Sequence, residues 1–109
     1  MEKQKKQDEI LYAKLNLETA QMSWKDLERF YASGALIFVE RELDLVEVAV
    51  RVANDEKKAV EDWLKAGRIF KVTDAQALAW HEQDASLWTV VVKPWILVQE
   101  QGNVADSLH

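Results

Sequence analysis

Two of the three glycines in this 109-residue chain stand at matching points of a repeated pattern, and that pattern constrains the fold more than any other feature. Phe30-Tyr31-Ala32-Ser33-Gly34-Ala35-Leu36-Ile37-Phe38-Val39 aligns on its glycine with Trp63-Leu64-Lys65-Ala66-Gly67-Arg68-Ile69-Phe70-Lys71-Val72. Each stretch reads as the end of an amphipathic helix, a glycine, and a short apolar, partly β-branched run. Glycine ends helices because it enters the left-handed backbone region without a side-chain clash. A further helix then opens near an aspartate, Asp44 in the first unit and Asp74 in the second. Helices that hand over to strands twice in this way need a sheet to pack on, so the expected class is α+β. Two helix–strand–helix halves of an internal pseudo-repeat are one reading. The other is that helix–glycine–strand is simply a common connection.

The remaining elements follow from spacing and caps. Ile10, Ala13, Leu17 and Ala20 recur at helical intervals, with Leu11 and Leu15 alongside, which predicts a helix from Asp8 to about Met22. Ser23 caps the next helix, with Asp26 placed to complete a capping box and Trp24, Leu27, Phe30 and Tyr31 as its apolar stripe. Asp44 to Ala53 fits two periods. Alternating Val46, Val48, Val50 and Val52 favour a strand, while the Asp44 cap and the polar residues downstream favour a helix, which is the reading adopted. Lys57 to Ala66 is a helix with Val60, Trp63 and Leu64 on one face and a Glu61–Lys65 pair on another. Thr73 and Gln76 form a capping box before Ala77, Leu78 and Trp80. Leu87 to Gln99 is strongly β-forming and holds Pro94. Proline has no amide to give a central strand, so a bent edge strand is preferred over two strands joined at Lys93-Pro94. The expectation is a single α+β domain over residues 8–99, with about five helices on a three- or four-stranded sheet. The strands are Ala35–Val39, Ile69–Val72 and Leu87–Gln99, and flexible segments cover residues 1–7 and 100–109.

Composition narrows the setting. Hydrophobic residues make up 49% of the chain and charged residues 30%, the balance of a folded protein. With no cysteine, disulfides, thiolate metal sites and cysteine nucleophiles are excluded. No apolar run approaches the roughly 18–20 residues that span a bilayer, and no signal-peptide pattern opens the chain, so a cytoplasmic, membrane-free protein is expected. A net charge of −5 argues against nucleic-acid binding. The one basic cluster, Lys3, Lys5 and Lys6, reads as a solvated terminus.

Reactive groups are few. His81 is the one internal histidine, and no serine lies in a Gly-x-Ser-x-Gly turn. His81, Glu82 and Asp84 resemble metal ligands, but neighbours on a helix point about 100° apart and position 85 is alanine, so His-Glu-x-x-His is incomplete. No catalytic, cofactor-binding or metal-ligating residue is assigned, and no cofactor is expected. The tryptophans remain. Trp24 and Trp63 sit on helical stripes as core residues, whereas Trp88 and Trp95 would lie on opposite faces of one continuous strand. Either they are buried in the monomer, or, with Ile96 and Val98, they form an interface. A second candidate grouping is a ligand pocket near Trp80, His81 and Lys93.

Several landmarks also resemble a known family. Leu-Asn-Leu-Glu-Thr-Ala at 15–20, Trp24, Leu43-Asp44-Leu45-Val46-Glu47-Val48-Ala49, Trp63, Gly67, Ala77-Leu78-Ala79-Trp80 and Val90-Val91-Val92-Lys93-Pro94-Trp95-Ile96-Leu97-Val98-Gln99 resemble the small bacterial domain of unknown function 2288. The resemblance implies a stand-alone bacterial cytosolic protein and supplies no activity, ligand or catalytic residue. Residues and resemblance together favour a non-enzymatic interaction module, a homodimer or protein partner, self-associating through its C-terminal β segment. The alternative is a small-ligand binder or enzyme with its pocket near Trp80 and His81.

Overall fold

The structure, a computed structural model, describes the backbone of residues 2–100 and the side chains of residues 4–100. The elements in order are α1 (Glu2–Glu18), β1 (Ala20–Ser23), α2 (Trp24–Ala32), β2 (Leu36–Val39), α3 (Leu45–Ala53), α4 (Lys57–Lys65), β3 (Ile69–Lys71), α5 (Asp74–Gln83), β4 (Ser86–Val92) and β5 (Trp95–Glu100). The strands form one mixed sheet in the order β1-β4-β5-β2-β3. Only the β5–β2 pair is parallel. Five helices on one sheet make an α+β domain, with five strands where three or four were expected.

Both faces of the sheet are covered, because side chains alternate along each strand. Val39, Ile69, Val90, Val92 and Leu97 point to the side of α1, α3 and α4 and meet Leu15, Leu45, Val46, Val48 and Ala49. Leu36, Phe38, Leu87, Ile96 and Val98 point to the side of α2 and α5 and meet Trp24, Leu27 and Trp80. The nearly continuous apolar reading of β2 and β5 follows from this double burial.

Local signals set most boundaries. The Ser23 hydroxyl accepts from the Asp26 amide at 3.4 Å, although the Asp26 side chain makes no return bond. Thr73 and Gln76 form the full reciprocal box. Asp44 accepts from the amides of Val46 and Glu47, and the valine-rich segment 45–53 is helical as adopted. The two glycine connections share one geometry. Gly34 donates to the Tyr31 carbonyl and Ala35 to that of Phe30; Gly67 donates to Leu64 and Arg68 to Trp63. With φ of +81° and +72°, these are paired Schellman endings. The two units place their leading helices on opposite faces, α2 against Trp80 and α4 against the α3 side.

Three expectations are corrected. Residues 2–7 continue α1, so Asp8 lies inside the helix instead of capping it, and the helix stops at Glu18. Ala20–Ser23 is an edge strand, drawn out by pairing with Ser86–Thr89. The segment 87–99 is neither bent nor at an edge. It is a hairpin in the sheet interior, reversing at a cis Lys93–Pro94 peptide with Val92 opposite Trp95, the arrangement of a cis-proline turn. Proline sits where no ladder amide is needed, so a central position is permitted. Glu100 belongs to β5, and the remainder of the expected tail, 101–109, lies outside the described residues.

One contact ties α1 to this frame. The Tyr12 hydroxyl donates to Asp44 Oδ2 at 2.6 Å. That bond first, then burial and the charges of Asp44 and Glu47, pushes the phenol up to about 12. A raised phenol pKa means the folded state favours the protonated form. Its stabilisation is therefore complete below about pH 10 and disappears as pH rises towards 12. Alkaline denaturation curves should show wild type losing its advantage over Tyr12→Phe across that window. Parallel curves would refute the assignment.

Candidate functional site

None of the residues of α4 is fully buried and no side chain caps its first turn, although Val60 and Trp63 pack against the core. An apolar cavity of about 230 Å³ lies beneath the helix. Its floor is Ile37 of β2, Ile69 of β3 and Leu97 of β5, and its walls are Val52, Val60, Leu64 and Trp95. Leu64 is 49% exposed at the mouth. A more polar extension of about 440 Å³ shares Val52, Val60 and Trp95 with it and runs out past Asp55, Glu56, Lys57, Glu61, Lys93 and Pro94. They share one wall and are treated as one cleft, with Trp95 at the boundary between its apolar and polar parts.

The charges around the cleft are unevenly committed. Glu56 is held by Arg51, which also bonds Glu47 and reaches Asp8 of α1. Glu47 foremost, and then Glu56, hold the Arg51 guanidinium above its ordinary range, against the opposing effect of burial. The Asp8 carboxyl is held below the usual range, first by the Gln4 amide and then by Asn54 and Arg51, against the opposing effect of burial. This network fixes the chain between α3 and α4 and with it the cleft's outer wall. Lys71 arches over the indole of Trp95 with its Nζ 5.6 Å from the ring centroid, within the range of a cation–π contact. Among the described residues no carboxylate forms an ion pair with Lys57, Lys71 or Lys93. The mouth thus sets the Lys71 ammonium beside an apolar chamber, with Lys57 and Lys93 and, among the described residues, the equally unpaired Asp55 and Glu61 further out.

The residues singled out from sequence scatter over the molecule. Trp95 and Lys93 meet at the cleft. Trp88 is 36% exposed on β4, beside Asn16, Thr19, Leu45 and Gln99. Because the chain reverses after Pro94, Trp88 and Trp95 share the α1–α3–α4 face instead of lying on opposite ones. Ile96 and Val98, at 8% and 0% exposure, belong to the core under α2 and α5 and present no surface to a partner. Trp80 is buried against Trp24 and Phe38, and its indole donates to Glu100 Oε2 at 3.2 Å. A shallow hollow of about 380 Å³ borders Trp80 without including His81. His81 is exposed, with Nδ1 3.6 Å from Glu28. Trp80 lies at the open end of the β4–β5 hairpin and Lys93 at its turn. The six intervening strand residues put them roughly 20 Å apart, so they make no common pocket.

Ile37, Val60, Leu64 and Lys71 were missed as site residues. One signal was available: where the first unit has Phe38, the aligned position of the second is Lys71, a charge inside an apolar strand.

The family described as "Protein of unknown function (DUF2288)" matches residues 10–100. The chain belongs to that family. An NMR solution structure of PA1075 from Pseudomonas aeruginosa is 47% identical, with a TM-score of 0.76, and the alignment covers 86% of this chain and 87% of that one. No curated protein matches. In this DUF2288 domain every cleft residue falls inside the matched span, whereas the first eight residues of α1 precede it.

Proposed function

We propose that the protein is a non-enzymatic binding module whose working site is the α4 cleft, and that the cleft takes a small amphipathic carboxylate. The apolar body of such a ligand packs against the partly exposed Ile37, Val60, Leu64 and Trp95, and its carboxylate meets Lys71 at the mouth. The observation that carries this reading is the junction at Trp95, an almost wholly apolar chamber with an uncommitted ammonium at its opening. Small-molecule sites have this composition, mostly apolar with a few placed polar groups. Binding suits the chamber because its lining is apolar, with Lys71 as its one ionisable residue.

Octanoate, with octanol as its uncharged counterpart, is a suitable probe pair for calorimetry. Octanoate should bind more tightly than octanol. Lys71→Glu, an exposed substitution that leaves the core alone, should weaken octanoate by about tenfold or more, since it replaces a charge-assisted contact with repulsion. Equal affinities for the two probes, or an indifferent Lys71→Glu variant, would rule the reading out.

A further inference from the structure

The two ends of α4 are held differently. Its carboxyl end runs through the Gly67 ending straight into β3, which pairs with β2, and is tied to the sheet. Its amino end hangs on a turn of three residues, Asn54, Asp55 and Glu56, with no side-chain cap. Val60, which lines both parts of the cleft, closes the first turn of the helix, so its place is set by that end. Asp55 stands in the left-handed region at φ +55°. That conformation is unfavourable for a residue with a side chain and persists where neighbouring groups hold it.

The holding groups reach back to α1. Asp8, Leu11, Tyr12 and Leu15 recur at three- and four-residue intervals and share one face of that helix. Leu15 is in the core with Leu11 and Tyr12 packed against it, which carries Asp8 to the α3 side. There Asp8 Oδ1 accepts from Asn54 Nδ2 at 2.9 Å, and Oδ2 accepts from Arg51 Nη1 at 3.3 Å. The same Arg51 nitrogen donates to Glu56 Oε2 at 2.9 Å. One carboxylate of α1 thus grips Asn54 directly and Glu56 through Arg51, the two residues that flank Asp55. The backbone closes the same ring, since the Glu56 amide donates to the Arg51 carbonyl at 3.0 Å.

We infer that Asp8 is a positioning residue for the cleft: by bracing the α3–α4 turn it sets where the amino end of α4 stands over the chamber, and so couples α1 to ligand binding. The coupling rests on the carboxylate reading of the cleft for its ligand, whereas the brace does not. Coupling between two sites is reciprocal, so a brace that favours the bound form is tightened by the ligand.

Amide hydrogen exchange and octanoate calorimetry on Asp8→Ala test the two parts separately. Alanine suits a helix interior, so α1 should keep its fold. In the ligand-free variant the amides of α4 should exchange about fivefold faster or more, while those of β4 and β5 keep wild-type rates, as in a local opening. Octanoate should bind about threefold more weakly or worse, although Asp8 does not line the cleft. Asp8→Asn keeps an acceptor for Asn54 but not the charge that faces Arg51, and should fall between. Lys58→Ala removes an exposed ion pair on α4 itself and should change neither readout. Unchanged α4 rates in Asp8→Ala, or rates raised equally in β4 and β5, overturn the brace. Faster α4 exchange with undiminished octanoate affinity overturns the coupling. A wild type that does not bind octanoate defeats the carboxylate reading and the coupling with it, and the exchange rates then decide the brace alone.

Discussion

Trp80→Ala should lose about 3–5 kcal/mol of folding stability, read as a shifted denaturation midpoint at unchanged slope. The indole is 2% exposed and lies at the centre of the α2–α5 side of the core, 5.4 Å from the Trp24 ring and 6.0 Å from the Phe38 ring. Truncation removes those contacts and leaves a cavity between two helices and the sheet, where the surroundings relax only in part. It also removes the donor to Glu100. Small domains are stable by about 5–15 kcal/mol in all, so the variant should sit close to its unfolding threshold. Trp80→Phe keeps much of the volume and forfeits the hydrogen bond, and should fall between. A loss under about 1 kcal/mol for the alanine variant would mean that this half of the core is not organised around Trp80.

The second large effect concerns Asp44. Its Oδ1 accepts from the amides of Val46 and Glu47 at 2.9 and 3.3 Å, capping α3, while Oδ2 accepts from Tyr12 at 2.6 Å. Removing a good cap costs about 0.5–2 kcal/mol and losing the phenol's partner about 1 more, so Asp44→Ala should destabilise by about 2 kcal/mol. The helix it caps buries Leu45, Val46, Val48, Ala49 and Val50, so the loss is transmitted straight to the core. Asp44→Asn should retain most of the capping. Combining Asp44→Ala with Tyr12→Phe should be clearly non-additive, since the two share one bond. Strict additivity would mean that the contact contributes nothing to holding α1.

What could be read in the sequence divides along local and non-local lines. Ser23, Asp44, the Thr73–Gln76 box and the glycines at 34 and 67 act on their own neighbouring backbone, so their spacing carried the structure directly. Ala20–Ser23 carries no such signal. It is extended because Ser86–Thr89 pairs with it, more than sixty residues away, and read alone it continues the helical period. Pro94 marks a break but not its kind: of the readings weighed, the structure takes two strands joined at Lys93-Pro94 and not the preferred bent edge strand. In α1 the period admits two apolar stripes, and only the packing of the sheet decides that Leu11 and Leu15 go in and Ile10 and Leu17 stay out. The cleft was hidden for the same reason. Its residues come from α3, α4, β2, β3 and β5, and only Trp95 and Lys93 had features that drew notice in isolation.

The most direct test of the cleft is a ¹H–¹⁵N correlation titration of the wild type with octanoate, repeated on Lys71→Glu. Shifts should concentrate at Ile37, Val60, Leu64, Lys71 and Trp95, including the Trp95 indole N–H, and should fade in the variant. Shifts centred on Trp80 and Glu100, or a response at the cleft that Lys71→Glu leaves unchanged, would contradict the account.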